Sequence, residues 1–261
     1  RGMRTTTMKR LIARLAMVAM VAAAGPTAFG VTITSGDLVG GTYTFTDNFT
    51  GFLGSADPTN WTTANVASTS SWLGTGNGSG STGGKISYGA TGSDPFEGSL
   101  GFLPSSTRAI SASISFTNST GAALESFVVG YVGEQWREVA AGNDNNWTAT
   151  YAVDAGSPVS LPSLTFTPQR AANASGSLIF SQNLSSALTG LSLADSSTLT
   201  ISFLGSNGTA GGSRQGIAID DFQLTAAAVP EPSTLGLAGV GVALARLGAW
   251  KRRTAAAVQA G

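Results

Sequence analysis

The sequence ISASISF, residues 110–116, alternates strictly between apolar and serine side chains. In an extended chain, successive side chains point to opposite sides, so Ile110, Ala112, Ile114 and Phe116 share one face and the serines share the other. An apolar face needs a core to cover it, whereas a serine face can remain in water. The pattern therefore predicts a half-buried β-strand at this point of the chain.

The same period of two recurs on both sides of this strand. Residues 31–34 and 217–224 are also predicted as strands. In four further segments the residues that share a face are Tyr43, Phe45, Asp47 and Phe49; Val128, Val132, Glu134 and Trp136; Trp147, Ala149, Tyr151 and Val153; and Leu199, Ile201 and Phe203. Many short strands, separated by Gly, Ser, Asn and Asp, predict an all-β fold: an antiparallel β-sandwich of jelly-roll-like type.

Three segments depart from this alternation. In residues 184–193, leucines and an alanine match the i, i+3, i+4, i+7 spacing of an amphipathic helix, although Gly190 disfavours one. The glycine-rich residues 74–84 predict a flexible surface loop. Residues 205–216 predict a second glycine-rich segment, the connection of a hairpin.

Basic residues at the N-terminus lie ahead of residues 11–24, an apolar segment that only Arg14 interrupts. This order predicts a secretory signal peptide over residues 1–30, with a helical apolar region. Cleavage is expected after Gly30 rather than after Ala24, because the next four residues already form a predicted strand. An uncleaved anchor is the alternative, for which the apolar segment is short.

The charge of the central region differs from that of the two ends. Residues 31–228, the predicted sandwich domain, hold five basic and thirteen acidic residues, a formal net charge of −8. Such a surface repels phosphates, so nucleic acid is not an expected partner. Neutral sugars, polycations and calcium remain as candidate ligands.

The chain contains no cysteine and no histidine. The sandwich must therefore be stable without disulfides, which core burial allows at its size. Mechanisms that need a catalytic histidine or a histidine-ligated zinc ion are excluded. We therefore predict a protein that is not an enzyme; the alternative is a hydrolase that uses two facing carboxylates.

The C-terminal segment combines three features in a fixed order. Pro230, Glu231 and Pro232 form a stiff breaker that no helix or central strand can include. An apolar helix is predicted from residue 235 onward, and the basic cluster Lys251-Arg252-Arg253 follows it. An apolar helix with a basic end is typical of a membrane segment whose charged end stays in the cytoplasm.

This order, with Pro230-Glu231-Pro232 ahead of the apolar run and the basic cluster, resembles the PEP-CTERM sorting signal of exported bacterial proteins over residues 229–253. The resemblance implies recognition by exosortase, a membrane peptidase, and a location at the cell envelope, the outer surface or the extracellular matrix after initial anchoring in the inner membrane. Residues 254–261 are predicted to be a disordered end.

A second resemblance concerns the central region. The segments SFTNSTG at 115–121, GEQWR at 133–137 and QGIAIDDF at 215–222 resemble a β-sandwich module of secreted bacterial proteins, some of which also carry a PEP-CTERM signal. This resemblance implies a fold rather than an activity.

Two adjacent carboxylates, Asp220 and Asp221, are the candidate metal ligands. Calcium accepts six to eight oxygen ligands in flexible geometry, and two carboxylates beside strand carbonyls could contribute to such a site. The structural alternative is that Asp220 accepts backbone N–H groups and that Glu134 pairs with an arginine, with no ligand. No cofactor is predicted, and calcium is the one candidate.

Trp61 and Trp72 are the candidate sugar-binding residues, because they lie in the loop-rich first third of the chain and flat indole faces can stack on pyranose rings. Trp136 and Trp147 occupy alternating strand positions and are expected in the core. Two hypotheses follow for an exported protein with a PEP-CTERM tail: a structural or adhesive role in the matrix, or a carbohydrate-binding module. Exposure of Trp61 and Trp72 on one surface would favour the second.

Overall fold

The computed structural model describes residues 30–67, 71–89, 98–104, 109–139, 145–169, 174–206 and 215–229. These residues form thirteen β-strands and two 3₁₀ turns, which confirms the all-β class. The strands are β1 (Val31–Thr34), β2 (Thr42–Asp47), β3 (Trp61–Ala67), β4 (Trp72–Gly76), β5 (Gly84–Tyr88), β6 (Ser99–Leu103), β7 (Ala109–Ser119), β8 (Leu124–Arg137), β9 (Asn146–Val153), β10 (Val159–Ser160), β11 (Ser175–Ala187), β12 (Thr198–Ser206) and β13 (Gly216–Ala228); the turns are Ser35–Asp37 and Pro162–Leu164.

The predicted signal helix near the N-terminus and the apolar helix after residue 235 lie outside the described residues. Within the described part of the chain, no helix is long and apolar enough to cross a lipid bilayer.

The strands form two sheets. Sheet A has the order β1-β7-β12-β9-β10, with β3 also paired to β7; sheet B has the order β11-β8-β13-β6-β5-β4, with β2 also paired to β13. Consecutive strands from β6 to β9 alternate between the sheets, and so do β11, β12 and β13. Nearly all pairings are antiparallel; β1 with β7 and β4 with β5 are parallel.

Strand β7 follows its sequence pattern. Its four apolar residues from Ile110 to Phe116 are buried, and the serines between them are partly exposed. In the neighbouring strand β12, Leu199, Ile201 and Phe203 lie opposite apolar residues of β7. These cross-strand pairs give sheet A a continuous apolar inner face.

The core lies between the sheets and is rich in aromatic rings. Phe222 of sheet B lies edge-on to Trp61 and to Phe203 of sheet A, with ring centroids 5.2 and 6.2 Å apart. Tyr131 of sheet B also meets Phe203 edge-on, at 5.1 Å. Edge-to-face contacts of this kind are favourable and fix ring orientations, so the two sheets have a specific alignment.

Strand β8 corrects one interpretation of the sequence. The residues that share its predicted face, such as Val128 and Val132, lie on the outer side, and Val128 is 40% exposed. The inner face consists of Phe127, Val129, Tyr131 and two polar or small residues that follow with a period of two. Both faces of this strand carry apolar side chains, so alternation alone does not identify the buried face.

The helix-like spacing of residues 184–193 is also misleading. Strand β11 continues to Ala187, and Leu184 lies opposite Tyr131 of β8. The chain then turns at Gly190, where φ is +74°, and Leu193 forms a β-bridge with Leu124. Pairing with β8 satisfies backbone groups and buries leucines, which a short isolated helix cannot do as well.

Both glycine-rich predictions need correction. Gly74 and Gly76 belong to β4, so the connection between β4 and β5 is shorter than predicted and spans residues 77–83. Residues 205–216 do not join a hairpin, because β12 belongs to sheet A and β13 to sheet B. The segment therefore connects the two sheets.

Candidate functional site

The outer face of sheet B carries a groove beside a β-bulge in β13. Asp220 lies opposite Val132 of β8 and Gln223 lies opposite Gly130, so β13 has one residue more than β8 over this interval. The extra residue is Asp221, whose φ is +44° and whose N–H donates to Asp220 Oδ1 at 2.8 Å. A bulge of this kind changes which side chains face outward. Here it leaves Asp221 exposed on the outer face.

The groove itself exists because Gly130 has no side chain between two outward-facing valines. It has a volume of about 330 Å³ and crosses β11, β8 and β13. Its outward-facing polar side chains are Asn183 and Ser185 of β11 and Asp221, Gln223 and Thr225 of β13. These groups can donate and accept hydrogen bonds, and the two valines add apolar contact.

A small apolar cluster occupies the other end of this face. We call Ile86, Tyr88, Trp136 and Ala218 the outer cluster. Tyr88 stacks on Trp136, with ring centroids 5.9 Å apart and an angle of 5° between the ring planes. Tyr88 is only 1% exposed. The ring of Tyr88 lies against Gly101, where any side chain would overlap it. The outer cluster is therefore a second buried centre on the face opposite the main core.

The loop of residues 77–83 lies beside the outer cluster. Arg137 Nη1 donates to the carbonyl oxygens of Ser79 and Gly80, at 3.2 and 2.9 Å. Gly78 has φ of +88° and lies so close to the Trp136 carbonyl that a side chain would overlap it. A second cavity, of about 560 Å³, is lined by β4, this loop and part of the outer cluster.

The hydroxyl of Tyr88 has no hydrogen-bond partner among the described residues. Burial raises the pKa of this phenol far above its usual value, and the charge of Arg137 opposes that shift only in part. Trp136, by contrast, is anchored: its Nε1 donates to Glu134 Oε2 at 2.7 Å.

Trp61 does not present a face to solvent, in contrast to the expectation from sequence. It is 1% exposed, its Nε1 donates to Asp47 Oδ2 at 2.9 Å, and its ring packs on Phe49 and Phe222. The prediction placed Trp61 in the loop-rich first third of the chain, whereas Trp61 begins strand β3 and is buried in the core.

Trp72 is partly exposed, but its ring is already in contact with other groups. Lys85 Nζ lies 4.7 Å from the ring centroid, and Phe52 meets the ring edge-on at 5.2 Å. Lys85 also donates to Thr63 Oγ1 at 2.9 Å and lies 3.7 Å from Asp57 Oδ1. The two tryptophans therefore do not form one exposed aromatic surface.

The candidate metal ligands are adjacent but not surrounded by further carboxylates. Within the described ranges, no three His, Cys, Asp or Glu residues come together to hold a metal ion. The hydrogen bond from the Asp221 N–H to Asp220 agrees with the structural alternative for Asp220.

Gln135 and Gln215 belong to two of the segments that carry the second resemblance. Both are fully buried, and Gln135 Nε2 donates to Gln215 Oε1 at 3.2 Å and to the Gln169 carbonyl at 2.9 Å. Asn145 Nδ2 donates in turn to the Gln215 carbonyl. These amides tie chain segments together at one end of the sandwich, which is a structural role.

The groove residues Asn183, Ser185, Gln223 and Thr225 were not identified from sequence. One signal was present: Gly130 stands two residues away from a valine on each side, Val128 and Val132. Without the neighbouring strands, however, nothing in the sequence shows which polar residues border that gap.

The last strand leads directly into the C-terminal tail. Strand β13 ends at Ala228, whose N–H donates to the Gly41 carbonyl at 2.8 Å, and the Val229 N–H donates to the Ala123 carbonyl at 3.0 Å. The backbone is thus held to the sandwich up to the residue before Pro230. The Pro230-Glu231-Pro232 tripeptide and the basic cluster lie outside the described residues.

Several solved structures match this chain at low TM-scores. A xylan-binding domain of carbohydrate-binding module family 22 has 14% identity, a TM-score of 0.37 and coverage of 72% of this chain and 95% of that one. The C-terminal family 22 carbohydrate-binding module of Clostridium thermocellum Xyn10B has 14% identity and a TM-score of 0.36. The match covers 73% of this chain and 96% of that one. The enzymatically active domain of tailspike protein 4 from bacteriophage CBA120 has 13% identity and a TM-score of 0.34. The match covers 63% of this chain and 19% of that one. At these scores the likeness carries no argument about function.

No curated protein sequence matches the chain. A family model does match: residues 228–253 fit the PEP-CTERM protein-sorting motif. The match begins at the last residue of β13 and ends at Arg253, which confirms the resemblance drawn from the tripeptide, the apolar run and the basic cluster. The chain therefore carries a PEP-CTERM protein-sorting motif immediately behind its β-sandwich.

Proposed function

We propose that this chain is an exported, non-enzymatic protein that is sorted through its PEP-CTERM tail and has a structural or adhesive role at the cell envelope or in the extracellular matrix. The observation that carries the proposal is the position of the sorting motif at 228–253, directly after the last strand. A sorting tail acts on the domain that precedes it, so the acidic sandwich is the delivered part.

Each segment has a role in this scheme. Residues 1–30 act as the signal peptide, and residues 31–228 form the exported domain. Residues 229–253 hold the protein in the inner membrane until an exosortase-type peptidase acts on them, with Lys251-Arg252-Arg253 on the cytoplasmic side. Residues 254–261 follow the basic cluster.

The sandwich is suited to removal of its tail. Strand β13 pairs with β8 on one side and with β2 and β6 on the other, so it is a central strand of sheet B. Among the described residues, the last backbone hydrogen bonds to the sandwich involve Ala228 and Val229. A cut after Val229 therefore removes none of these hydrogen bonds, and the released domain is expected to stay folded.

Intact-mass spectrometry of the native protein, from membrane and medium fractions separately, tests the sorting proposal. We expect a processed form whose C-terminus lies near Pro230–Pro232 in the medium or at the cell surface. The variant with Pro230→Ala and Pro232→Ala should remain unprocessed, whereas Ser233→Ala should be processed normally. A chain that keeps residues 251–253 and is found only in membranes would overturn the proposal.

The groove on sheet B favours a second function, binding of a neutral polysaccharide. Amide and hydroxyl side chains line a groove that is open to solvent, and such groups match the hydroxyls of a sugar chain. The domain lacks an exposed pair of tryptophans, so this proposal rests on Asn183, Gln223 and Asp221 instead. The acidic charge favours neutral or cationic polymers over anionic ones.

Affinity electrophoresis of the full chain in gels with dissolved neutral polysaccharides tests the second function. We expect retardation by at least one polymer, and we expect Asn183→Ala with Gln223→Ala to abolish it. The matched control is Thr44→Ala, an exposed position in β2 that does not line the groove. Equal mobility of the double variant and the unmodified chain in every polymer would exclude this groove as the binding site.

A hydrolase is not part of the proposal. Of the described residues, Asp221 is the one carboxylate that lines the groove, and no carboxylate lines the second cavity. Glycosidases typically hydrolyse a glycosidic bond with a pair of carboxyl groups, one on each side of the bond.

A further inference from the structure

The loop that connects β4 to β5 contains an asparagine followed by a glycine, Asn77-Gly78. In the whole sequence, glycine follows only one other asparagine, Asn207, which lies outside the described residues. The backbone nitrogen of the residue after an asparagine can attack the side-chain amide carbon, which forms a cyclic imide, the succinimide. Glycine permits this attack most readily, because it has no side chain and its backbone has the widest freedom.

Two hydrogen bonds hold the side-chain oxygen of Asn77. Ser79 donates to Asn77 Oδ1 through its backbone N–H at 3.1 Å and through its hydroxyl at 2.8 Å. Attack on the amide carbon moves negative charge onto Oδ1, and preorganised donors stabilise such a charge, as in an oxyanion hole. Ser79 therefore stabilises the state in which the new carbon–nitrogen bond forms.

The attacking and the leaving nitrogen are both unrestrained. Among the described residues, neither the Gly78 N–H nor the Asn77 Nδ2 group has a hydrogen-bond partner. Asn77 is exposed, whereas the Trp136 backbone covers most of Gly78. Both residues line the second cavity, however, so water can reach them from that side and accept the proton of the attacking nitrogen.

Two other asparagines provide an internal comparison. Asn48 and Asn118 each accept the same two hydrogen bonds at Oδ1, from a threonine two residues further along the chain. After Asn48, the Phe49 N–H already donates to Asp47 Oδ1 at 2.9 Å. Asn118 is fully buried, and its Nδ2 donates to two carbonyl oxygens. Of the three, Asn77 combines a following glycine with unrestrained attacking and leaving groups.

We infer that Asn77 is a site of spontaneous deamidation in the folded domain. The Gly78 nitrogen gives its proton to water and forms a bond to Asn77 Cγ, the bond from Cγ to Nδ2 breaks, and the leaving nitrogen takes up a proton and departs as ammonia. Water then opens the succinimide at either carbonyl, which yields aspartate or isoaspartate at position 77. The net reaction is hydrolysis of an amide, so water is the only co-reactant.

Either product changes the loop beside the outer cluster. A carboxylate replaces a neutral amide at the second cavity, which no carboxylate of the described residues lines. Isoaspartate also adds one carbon to the backbone just ahead of Ser79 and Gly80, whose carbonyl oxygens accept hydrogen bonds from Arg137. The isoaspartate form should therefore hold this loop less firmly against the sandwich.

Ageing of the purified full chain under native conditions tests the inference. The folded protein is incubated at mildly alkaline pH in water labelled with heavy oxygen, and peptides that contain Asn77, Asn48 or Asn118 are then compared by mass spectrometry. We expect aspartate and isoaspartate together at position 77, each with one heavy oxygen atom. Their formation should be many-fold faster than that of any product at the two comparison asparagines.

Two serine variants of the same loop test the cause. Ser79→Ala removes one donor to Asn77 Oδ1 and should slow the conversion several-fold, whereas Ser81→Ala, at an exposed position, should not. Equal rates in the two variants would overturn the role of Ser79. An Asn77 that converts no faster than Asn48 and Asn118 in the folded chain overturns the inference. Aspartate without isoaspartate also overturns it, because direct hydrolysis gives that product without a succinimide.

Discussion

The two faces of sheet B are both buried in places, but they are built differently. The inner face meets sheet A through large rings such as Phe222 and Tyr131, and the Tyr131 hydroxyl donates to the Leu164 carbonyl at 2.8 Å. The outer face buries the outer cluster, where the Tyr88 hydroxyl has no partner among the described residues. The inner face is covered by a whole sheet and the outer cluster by one loop, but unpartnered polar atoms occur in both places, because Trp147 Nε1 in the main core also lacks a partner among the described residues.

The two faces should differ most in the free energy of unfolding that is lost when a side chain is truncated, and the loss should be larger for a ring of the inner face. Phe222→Ala removes a ring that contacts Trp61, Phe203 and Phe116, and it should lower the free energy of unfolding by about 3–5 kcal/mol. Val128→Ala, on the outer face, should lower it by less than about 1 kcal/mol. Urea unfolding of the unmodified protein, Phe222→Ala and Val128→Ala measures both losses of stability. Equal losses would show that the outer face contributes as much to stability as the core.

The loop over the outer face should be sensitive at one glycine and not at its neighbour. Gly78→Ala places a side chain against the Trp136 carbonyl at a left-handed backbone conformation, and it should cost about 1–3 kcal/mol. Gly80→Ala meets open space and should cost less than about 0.5 kcal/mol. Urea unfolding, followed by tryptophan fluorescence, measures the free energy of unfolding of both variants. If both variants unfold like the unmodified protein, the loop does not hold the outer cluster.

The outer cluster should weaken at alkaline pH. Burial raises the pKa of Tyr88, so the folded state keeps the phenol proton after the unfolded state, with a pKa near 10.0, has lost it. The associated stability is present below pH 10 and falls above it by about 1.4 kcal/mol per pH unit. Tyr88→Phe should therefore lose stability more slowly than the unmodified protein between about pH 10 and 11. Parallel pH profiles in urea unfolding would contradict this.

The smallest expected effect concerns the two phenol groups at neutral pH. Tyr131→Phe removes a hydrogen bond to a buried carbonyl and should lower the free energy of unfolding by about 1 kcal/mol. Tyr88→Phe removes an unpartnered hydroxyl and should leave stability unchanged or raise it by about 0.5 kcal/mol. Thermal unfolding of the pair measures the difference. A loss of stability in Tyr88→Phe would show that its hydroxyl has a partner, such as a buried water molecule.

The candidate site was less predictable than the fold. Asp220 and Asp221 were identified because carboxylates stand out in an uncharged strand, but the bulge that separates their roles depends on the register with β8. Trp61 was placed on the surface because of loop-like neighbours, although the rings of Phe203 and Phe222 bury it. Burial depends on distant residues in the chain, and local composition does not report on them.

The sequence by itself determined the all-β class, the strand of residues 110–116 with its buried face, and the PEP-CTERM motif behind the last strand. These features are local: alternation acts within one strand, and the motif lies within 26 residues at 228–253. The tertiary structure alone decided which face of β8 meets the core, where the loop of residues 77–83 lies, and which polar residues border Gly130. Both faces of β8 are apolar, so only the packing of one sheet on the other could distinguish them.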